Sequence, residues 1–210
     1  MTPTDRDLPA HYRRLDAFLA KLRSDIYPEP PSPGHDVLTR QMFDYVMTIF
    51  PQAAGAKVLD VGCGQGVGLE VFRDAGLDAI GITLGEDADV CRAKGLNVRA
   101  MDMSFLDFGD AEFDLVWCRH ALEHSVFPYF MLAEMHRVLK PGGVLYVEVP
   151  APDTGPNHQN NPNHYSVLGK TMWVQLIMRA GFPQGRMRDI PLTTPMGADM
   201  YWAFTQQKPA

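Results

Sequence analysis

The chain has 210 residues, of which 46% are hydrophobic and 21% charged, with a formal net charge of -6 at pH 7, as expected of a globular protein with one full core. The acidic balance and the lack of a Lys/Arg cluster argue against a nucleic-acid partner. No run approaches the ~18 apolar residues of a membrane helix, and the first residues lack an apolar signal core, so we expect a cytoplasmic protein without a membrane partner.

The first elements in chain order are two amphipathic helices separated by a proline-rich segment. Apolar residues recur at helical spacing over residues 5–27, and a second helix is expected over 36–50. The segment between the helices contains four prolines and is interpreted as a strap over the main domain. We therefore divide the chain into a helical cap with its strap, residues 1–34, and a main domain, residues 35–210.

After residue 56, short apolar runs alternate with helical patterns. Strands are expected at 57–61, 79–82, 97–101, 113–117, 144–149, 185–190 and 199–205, and helices at 66–75, 86–94, 127–139 and 167–180. Strands that alternate with helices imply an α/β domain with a parallel sheet and right-handed crossovers. Residues 150–164 are rich in Pro, Asn, Gly and His and predict a loop, which at this length is more often functional than not.

The central motif is the run VLDVGCGQG at residues 58–66, where a buried strand enters glycines and then a helix. Glycines permit a close approach of the backbone to a ligand, and the helix N-terminus offers N–H groups to an anion. The dinucleotide pattern G-x-G-x-x-G/A and the P-loop pattern G-x-x-x-x-G-K-S/T both fail, because Val67 or Leu69 stands where a glycine belongs. The pattern that does fit is an acid, Asp60, followed two residues later by G-x-G-x-G. At a strand end it can receive an ammonium group, which suits a zwitterionic amino acid better than a polyphosphate.

This run resembles the first motif of class I S-adenosylmethionine-dependent methyltransferases, in which the loop holds the methionyl part of the cofactor. Residues 101–108, 113–116 and 134–143 resemble later motifs of that family in the same order. The resemblance covers about residues 36–182. It implies a Rossmann-like three-layer sandwich with a mostly parallel seven-stranded sheet, an antiparallel last strand and helices on both faces. It also implies S-adenosylmethionine as the cofactor and methyl transfer as the activity.

The resemblance further assigns cofactor contacts to individual positions. Asp102 takes the place of the aspartate that accepts from the adenine amino group, and the backbone N–H of Met103 reaches the adenine ring. The second strand departs from the family pattern, because Thr83 stands where an acid usually holds the ribose hydroxyls; Glu86 and Asp87 are the alternatives. The expected cofactor-binding residues are Asp60, Gly62, Cys63, Gly64, Gly66, Thr83, Leu84, Asp102, Met103 and Arg119.

Three histidines, His120, His124 and His164, are the candidates for chemistry on the methyl acceptor. A helical turn after the fourth strand would place His120, Glu123 and His124 on one face. This turn resembles the E-x-x-E-H metal segment of ubiquinone-pathway O-methyltransferases and small-RNA 2′-O-methyltransferases, with His120 replacing the first Glu and His158 or His164 available as a further ligand. A divalent metal is nevertheless not favoured over a general base or a side chain that braces the loop. We expect His124 to matter more for turnover than His120.

The favoured function is methyl transfer to a small-molecule acceptor, at oxygen or nitrogen. The Asn/Asp-Pro-Pro-aromatic motif of amino-methylating nucleic-acid enzymes does not follow the fourth strand, where Cys118-Arg119-His120-Ala121 stands, and Arg119 is a further candidate for binding a substrate carboxylate. The alternatives are a non-catalytic cofactor-binding module that regulates a partner and, against the glycine spacing, an NAD-type oxidoreductase. We also expect residues 1–34 and 151–164 to cover the site and to order when ligands bind.

Overall fold

The computed structural model describes residues 9–24, 28, 30–183 and 185–210. The helices are α1 (Ala10–Ser24), α2 (Pro33–Ile49), α3 (Val67–Asp74), α4 (Glu86–Ala93), α5 (Pro128–Val138) and α6 (Lys170–Arg179). The strands are β1 (Lys57–Val61), β2 (Asp78–Thr83), β3 (Val98–Ala100), β4 (Phe113–Arg119), β5 (Leu139–Pro150), β6 (Arg186–Thr194) and β7 (Gly197–Gln207). None of the described helices combines the length and the apolar character that crossing a membrane requires.

The strands form one seven-stranded sheet in the order β3-β2-β1-β4-β5-β7-β6. The first five strands are parallel to one another, whereas β7 runs antiparallel to both β5 and β6. Helix follows strand between most of the parallel strands, as right-handed crossovers require. The expected α/β fold, mostly parallel with an antiparallel last strand, is confirmed.

Alternation along β4 shows how the sheet is covered on both faces. Leu115 and Trp117 pack in an apolar cluster with residues of α2 and α3, whereas Val116 and Cys118 pack in a second cluster with residues of α5 and α6. Successive side chains of a strand point to opposite faces, so a strand with a continuous apolar run, as β4 has from Leu115 to Cys118, is buried on both sides. The result is three layers, with the sheet in the middle.

The differences from the predicted boundaries have local causes. Helix α2 begins at Pro33, because the side chain of Ser32 caps it by accepting a hydrogen bond from the backbone N–H of His35 at 3.2 Å. The predicted domain boundary at residue 34 therefore falls within the first turn of α2. Strand β5 begins at Leu139 rather than at 144, since the chain is already paired with β4 there. For the first helix, predicted residues 5–8 and 25–27 lie outside the described residues.

Candidate active site

A cavity of about 270 Å³ lies beyond the carboxyl ends of β1, β2 and β4. Strand β1 has β2 on one side and β4 on the other, so the strand order reverses at β1. In open α/β sheets, ligands bind in the crevice that this reversal creates. All of the expected cofactor-binding residues except Gly66 line the cavity.

The glycine loop brings its backbone close to two neighbouring segments. Gly62 has φ +75°, and a Cβ added there would overlap the Cβ of Ala121 after β4. A Cβ added at Gly68 would lie 2.5 Å from Oδ2 of Asp60. At Gly66, also at positive φ, an added Cβ would meet Leu96 instead of the cavity. Gly66 therefore serves the packing of the loop, Gly62 allows the close approach of Ala121, and Gly68 keeps open the space beside Asp60.

Asp60 places a buried carboxyl group at the floor of this loop. Its exposed fraction is 3%, and it ends in the same cavity as Gly62 and Gly64. Burial raises the pKa of Asp60 to about 7, although the positive charge of Arg119 acts in the opposite direction. A cationic group bound beside Asp60 would restore the ionised form. The loop therefore fits a ligand that carries an ammonium group, as the cofactor implied by the resemblance does.

The segment after β3 and helix α1 form the side of the cavity where the resemblance places the adenine. The Oδ1 atom of Asp102 accepts a hydrogen bond from the backbone N–H of Ser104 at 2.9 Å, which fixes the carboxylate. The Nε atom of Arg23, near the end of α1, lies 3.3 Å from Oδ2 of the same carboxylate. Leu19 and Leu22 of α1 also line the cavity. The N-terminal helix therefore forms one wall of the site, as expected for a cap, while ordering on ligand binding stays a prediction.

At the expected ribose position, the structure distinguishes between the two acidic alternatives. Thr83 and Asp87 line the cavity, whereas Glu86 does not. The Oδ1 atom of Asp87 accepts a hydrogen bond from Nε2 of Gln65 at 3.1 Å, and Asp87 is buried. Gln65 belongs to the glycine loop and was not singled out from the sequence. Thr83, Asp87 and Gln65 are thus the polar side chains available for the ribose hydroxyls.

The expectation that His120, Glu123 and His124 share one face of a helical turn is wrong. Only Leu122–His124 forms a short 3-10 helix, and His120 precedes it with a left-handed φ of 53°. Its ring turns to Glu148 instead, with Nε2 2.7 Å from Oε1. Among the described residues, the group suited to a metal ion is Glu123, His124 and His164, whose ligand atoms lie within 4.8 Å of one another. The expected contribution of His164 therefore fits the geometry, and that of His120 does not.

His124 and His164 connect the long loop to the cavity. Nδ1 of His124 lies 3.0 Å from the carbonyl oxygen of Asn163, to which it donates because a carbonyl only accepts. The rings of His124 and His164 meet edge to face at 4.6 Å. His158 instead binds the buried carboxylate of Asp199, with Nε2 3.0 Å from Oδ1. The predicted loop thus lies against the site through Asn163 and His164, which both contact His124.

A buried network of charged and polar side chains connects β4, β5 and α2, and it was not predicted from the sequence. Nε of Arg119 donates to Oε1 of Glu148 at 2.8 Å, and Nη1 donates to Oγ1 of Thr39 on α2 at 2.8 Å. The hydroxyl of Tyr146 donates to Oε2 of Glu148 at 2.5 Å. All four residues are buried. The guanidinium of Arg119 is therefore engaged internally, which disfavours the expected contact with a substrate carboxylate. A lone acid within an otherwise apolar strand was the only signal for Glu148.

Comparisons with known proteins agree with this geometry. A family model described as a methyltransferase domain matches residues 59–147. The ubiquinone biosynthesis O-methyltransferase of Methylococcus capsulatus is 41% identical over 101 residues, which are 44% of this chain and 43% of that protein. The demethylmenaquinone methyltransferase of Renibacterium salmoninarum is 34% identical over 146 residues, 68% of this chain and 56% of that protein. The chain spans about half the length of the curated relatives it matches.

Solved structures give the same result for the fold. The structure of a methyltransferase from Archaeoglobus fulgidus superposes with a TM-score of 0.68 over 80% of this chain and 94% of that chain. Its sequence identity is 19%, so this likeness concerns the fold alone.

Proposed function

Because this chain belongs to the class I S-adenosylmethionine-dependent methyltransferases, we propose that it transfers a methyl group to an oxygen or nitrogen atom of a small-molecule acceptor. One observation carries the proposal: the glycine loop with Asp60, the carboxylate of Asp102, and the imidazoles of His120 and His124 line one cavity. Three of these features suit the cofactor, and the imidazoles lie where an acceptor can meet it. The NAD-type alternative does not agree with the family.

The residues that hold the cofactor divide its parts among them. Asp60 would bind the ammonium group, the loop backbone from Gly62 to Gly64 would hold the methionyl chain, and Asp102 with Met103 would bind the adenine. When bound, the cofactor would supply an activated methyl group on a sulfonium, with S-adenosylhomocysteine as the product. The protein itself contributes alignment and desolvation of the acceptor, together with a group that takes its proton.

Histidines are the residues best suited to take that proton near neutral pH. His120 and His124 line the cavity, and His164 contacts His124. The same region also fits metal binding by two of these histidines, His124 and His164. Glu123, His124 and His164 are a carboxylate and two imidazoles, a donor set that divalent transition metals accept. We retain a metal site as the less favoured interpretation. His124 would be a candidate in both interpretations, as a proton acceptor or as a metal ligand.

The names of the relatives narrow the acceptor class without identifying it. The two relatives described above are named for ubiquinone biosynthesis and for demethylmenaquinone, and a third relative for a malonyl group on an acyl-carrier protein. Apolar side chains, among them Leu19, Leu22 and Val126, contribute to the cavity of this chain. We therefore include phenols and carboxylic acids of moderate hydrophobicity among the acceptors to be tested, together with amines.

The test is release of S-adenosylhomocysteine, measured by mass spectrometry, from the protein incubated with cofactor and a panel of phenols, carboxylic acids and amines. We expect release with at least one class and a methylated product of matching mass. The control is Asp60→Asn, which keeps the shape of the side chain and removes the charge that binds the ammonium group. Tight cofactor binding without product from any acceptor would favour a binding module that regulates a partner.

A further inference from the structure

We propose that Glu148 is a positioning residue of this site, which orients His120 so that His120, rather than His124, takes the proton of the acceptor. The proposal rests on methyl transfer being the function. It reverses the expectation from the sequence, which placed His124 first. It depends on three features: the saturation of the Glu148 carboxylate, the backbone at His120, and the different partners of the two imidazoles.

The Glu148 carboxylate is held from three sides. Oε1 accepts from Nε of Arg119 at 2.8 Å and from Nε2 of His120 at 2.7 Å, and Oε2 accepts from the hydroxyl of Tyr146 at 2.5 Å. Burial alone would raise the pKa of Glu148, but His120, Arg119 and Tyr146 together lower it to about 2. The group is therefore an ionised carboxylate with both oxygens fixed. Since Arg119 also binds Thr39 on α2, the carboxylate cannot rotate without disturbing a second layer of the fold.

The carboxylate determines which nitrogen of His120 carries the proton. An ionised carboxylate only accepts, so Nε2 of His120 must donate, and in the neutral ring Nδ1 then carries the lone pair. Burial lowers the pKa of His120, although the hydrogen bond to Glu148 opposes this, so the ring is neutral near pH 7. The side chain is 22% exposed and lines the cavity. His120 thus presents a base to the cavity in a defined tautomer.

The backbone of His120 is arranged for the same contact. Its φ of 53° lies in the left-handed region, which costs free energy for a residue with a side chain. Its backbone N–H donates to the carbonyl oxygen of Glu148 at 3.0 Å. His120 is therefore attached to Glu148 twice, once through the backbone and once through the ring. A strained residue held in this way points to a function for the ring rather than to simple packing.

The hydrogen bond on Nδ1 of His124 is a weaker one for this role than the bond from His120 to Glu148, and the nearest carboxylate named with His124, that of Glu123, is grouped with it only within 4.8 Å. Its Nδ1 donates to a neutral carbonyl oxygen, that of Asn163. A carboxylate stabilises a newly formed imidazolium through its charge, and a carbonyl only through its dipole. The loop that carries Asn163 also borders the cavity. We therefore assign proton acceptance to His120 and attachment of the loop to His124.

In the proposed step, the acceptor atom forms its bond to the methyl carbon as the carbon–sulfur bond breaks with its electron pair left on sulfur. The proton of the acceptor passes to Nδ1 of His120, and the resulting imidazolium is paired with Glu148 until the proton leaves to solvent. One positive charge disappears at the sulfonium and one appears on the ring. The net charge of the site is therefore unchanged during transfer.

The tautomer can be measured without any acceptor. In the intact protein labelled with ¹⁵N histidine, long-range proton–nitrogen spectra identify the ring nitrogen that carries the proton, and His120→Asn assigns the signals among the seven histidines. Asparagine is chosen because it tolerates a left-handed backbone. We expect the Nε2–H tautomer near pH 7. A ring protonated on Nδ1 alone, or a full imidazolium, would overturn the proposal.

The catalytic part is tested by a double-mutant cycle once an acceptor is known. His120→Asn should lower kcat by about 100-fold or more, as loss of a general base does. Glu148→Gln should lower kcat by about 10- to 100-fold, as loss of an orienting partner does, with KM for the cofactor nearly unchanged. The double variant should be no slower than His120→Asn, because Glu148 acts through that ring. Losses that multiply would show that Glu148 acts elsewhere and would reject the proposal.

The matched control is Glu134→Gln on α5, which removes another carboxylate bound to an arginine. Both oxygens of Glu134 accept from Arg137 at 2.8 Å, and Glu134 does not line the cavity. We expect a lower melting temperature, because the hydrogen bonds between Glu134 and Arg137 contribute to folding stability. We expect kcat to stay within about 3-fold of wild type, because these bonds lie outside the cavity lining. An equal loss of kcat in this variant would attribute the Glu148 effect to stability and reject the proposal. If the wild-type protein methylates no acceptor, the proposed function itself fails, and the tautomer result stands separately as a structural one.

Discussion

Arg23 and Asp102 are 79 residues apart in the sequence, yet Nε of Arg23 lies 3.3 Å from Oδ2 of Asp102. The resemblance assigns this carboxylate to the amino group of adenine. In the structure, a side chain of the cap helix therefore binds an oxygen of the carboxylate that is proposed to hold adenine. We therefore expect cofactor binding and the position of α1 to be coupled.

The first prediction concerns this competition. Arg23→Ala should tighten binding of S-adenosylhomocysteine by about 2- to 5-fold, because an exposed ion pair contributes roughly 0.2–1 kcal/mol that adenine would no longer need to displace. Calorimetry measures the affinity, and Arg14→Ala, exposed on the same helix, is the control. Hydrogen exchange over residues 10–24 should also change when the cofactor product binds. Weaker binding in Arg23→Ala would mean that Arg23 contacts the ligand directly.

A second prediction follows from the raised pKa of Asp60, which is about 7. The ammonium group of the ligand needs the ionised carboxylate, so affinity for S-adenosylhomocysteine should fall by roughly 20-fold between pH 7.5 and pH 5.5, following the ionised fraction. In the unliganded protein, the contribution of Asp60 to folding stability changes with pH in the opposite direction to the affinity. The neutral carboxyl stabilises it at low pH, and this contribution is lost as the pH rises through about 7.

Asp60→Asn tests the assignment of that pH dependence. Binding should weaken by about 10- to 100-fold at pH 7.5, because a charged hydrogen bond is worth roughly 1.5–3 kcal/mol. The remaining affinity should no longer vary with pH between 5.5 and 7.5. A variant that keeps the wild-type pH profile would place the titrating group elsewhere.

A third prediction uses the close approach of α3 to β1. In Gly68→Ala, the new Cβ would lie 2.5 Å from Oδ2 of Asp60, so the carboxylate must move. Overpacking costs about 1–3 kcal/mol, and we expect an affinity for S-adenosylhomocysteine at least about 10-fold lower. Gly169→Ala is the control, because nothing lies within 4 Å of the added Cβ there. Equal binding by both variants would contradict the placement of Asp60 beneath the loop.

A fourth prediction separates the possible roles of His124. His124→Ala should lower turnover by about 10-fold and reduce the melting temperature, because the loop loses a hydrogen bond to Asn163 worth about 1 kcal/mol. Cofactor binding should survive, and a chelator should have no effect on the wild-type protein. A chelator that reproduces the mutation, with metal measured in the purified protein, would instead identify Glu123, His124 and His164 as a metal site.

The fold, and the residues that line the proposed cofactor half of the cavity, were predictable because local patterns encode them. The run at residues 58–66 specifies a strand, a turn with positive φ and a helix N-terminus within nine neighbouring positions. Apolar runs that alternate with helical patterns then leave few arrangements of the sheet. Asp60 and Asp102 were identified for the same reason, since Asp60 lies near the carboxyl end of β1 and Asp102 lies just beyond the end of β3.

The acceptor half was less predictable, because it depends on contacts between distant segments. A helical turn was expected to align His120 with His124, but the positive φ of His120 breaks that periodicity. His120 and Glu148 are 28 residues apart, and their pairing follows from the register between β4 and β5, in which Arg119 stands opposite Glu148. A sequence pattern within one strand does not reveal which residue of the neighbouring strand stands opposite each of its own residues.

The placement of β7 between β5 and β6 has a consequence for biosynthesis. Strand β7 follows β6 in the chain, so a nascent polypeptide exposes the unpaired edge of β5 until both later strands have left the ribosome. An apolar edge strand is a template for pairing with other chains, and aggregation during synthesis is a recognised hazard for such edges. During this interval, the carboxylate that contacts His120 lies on an uncovered strand, so we expect the surroundings of His120 to be completed after the glycine loop.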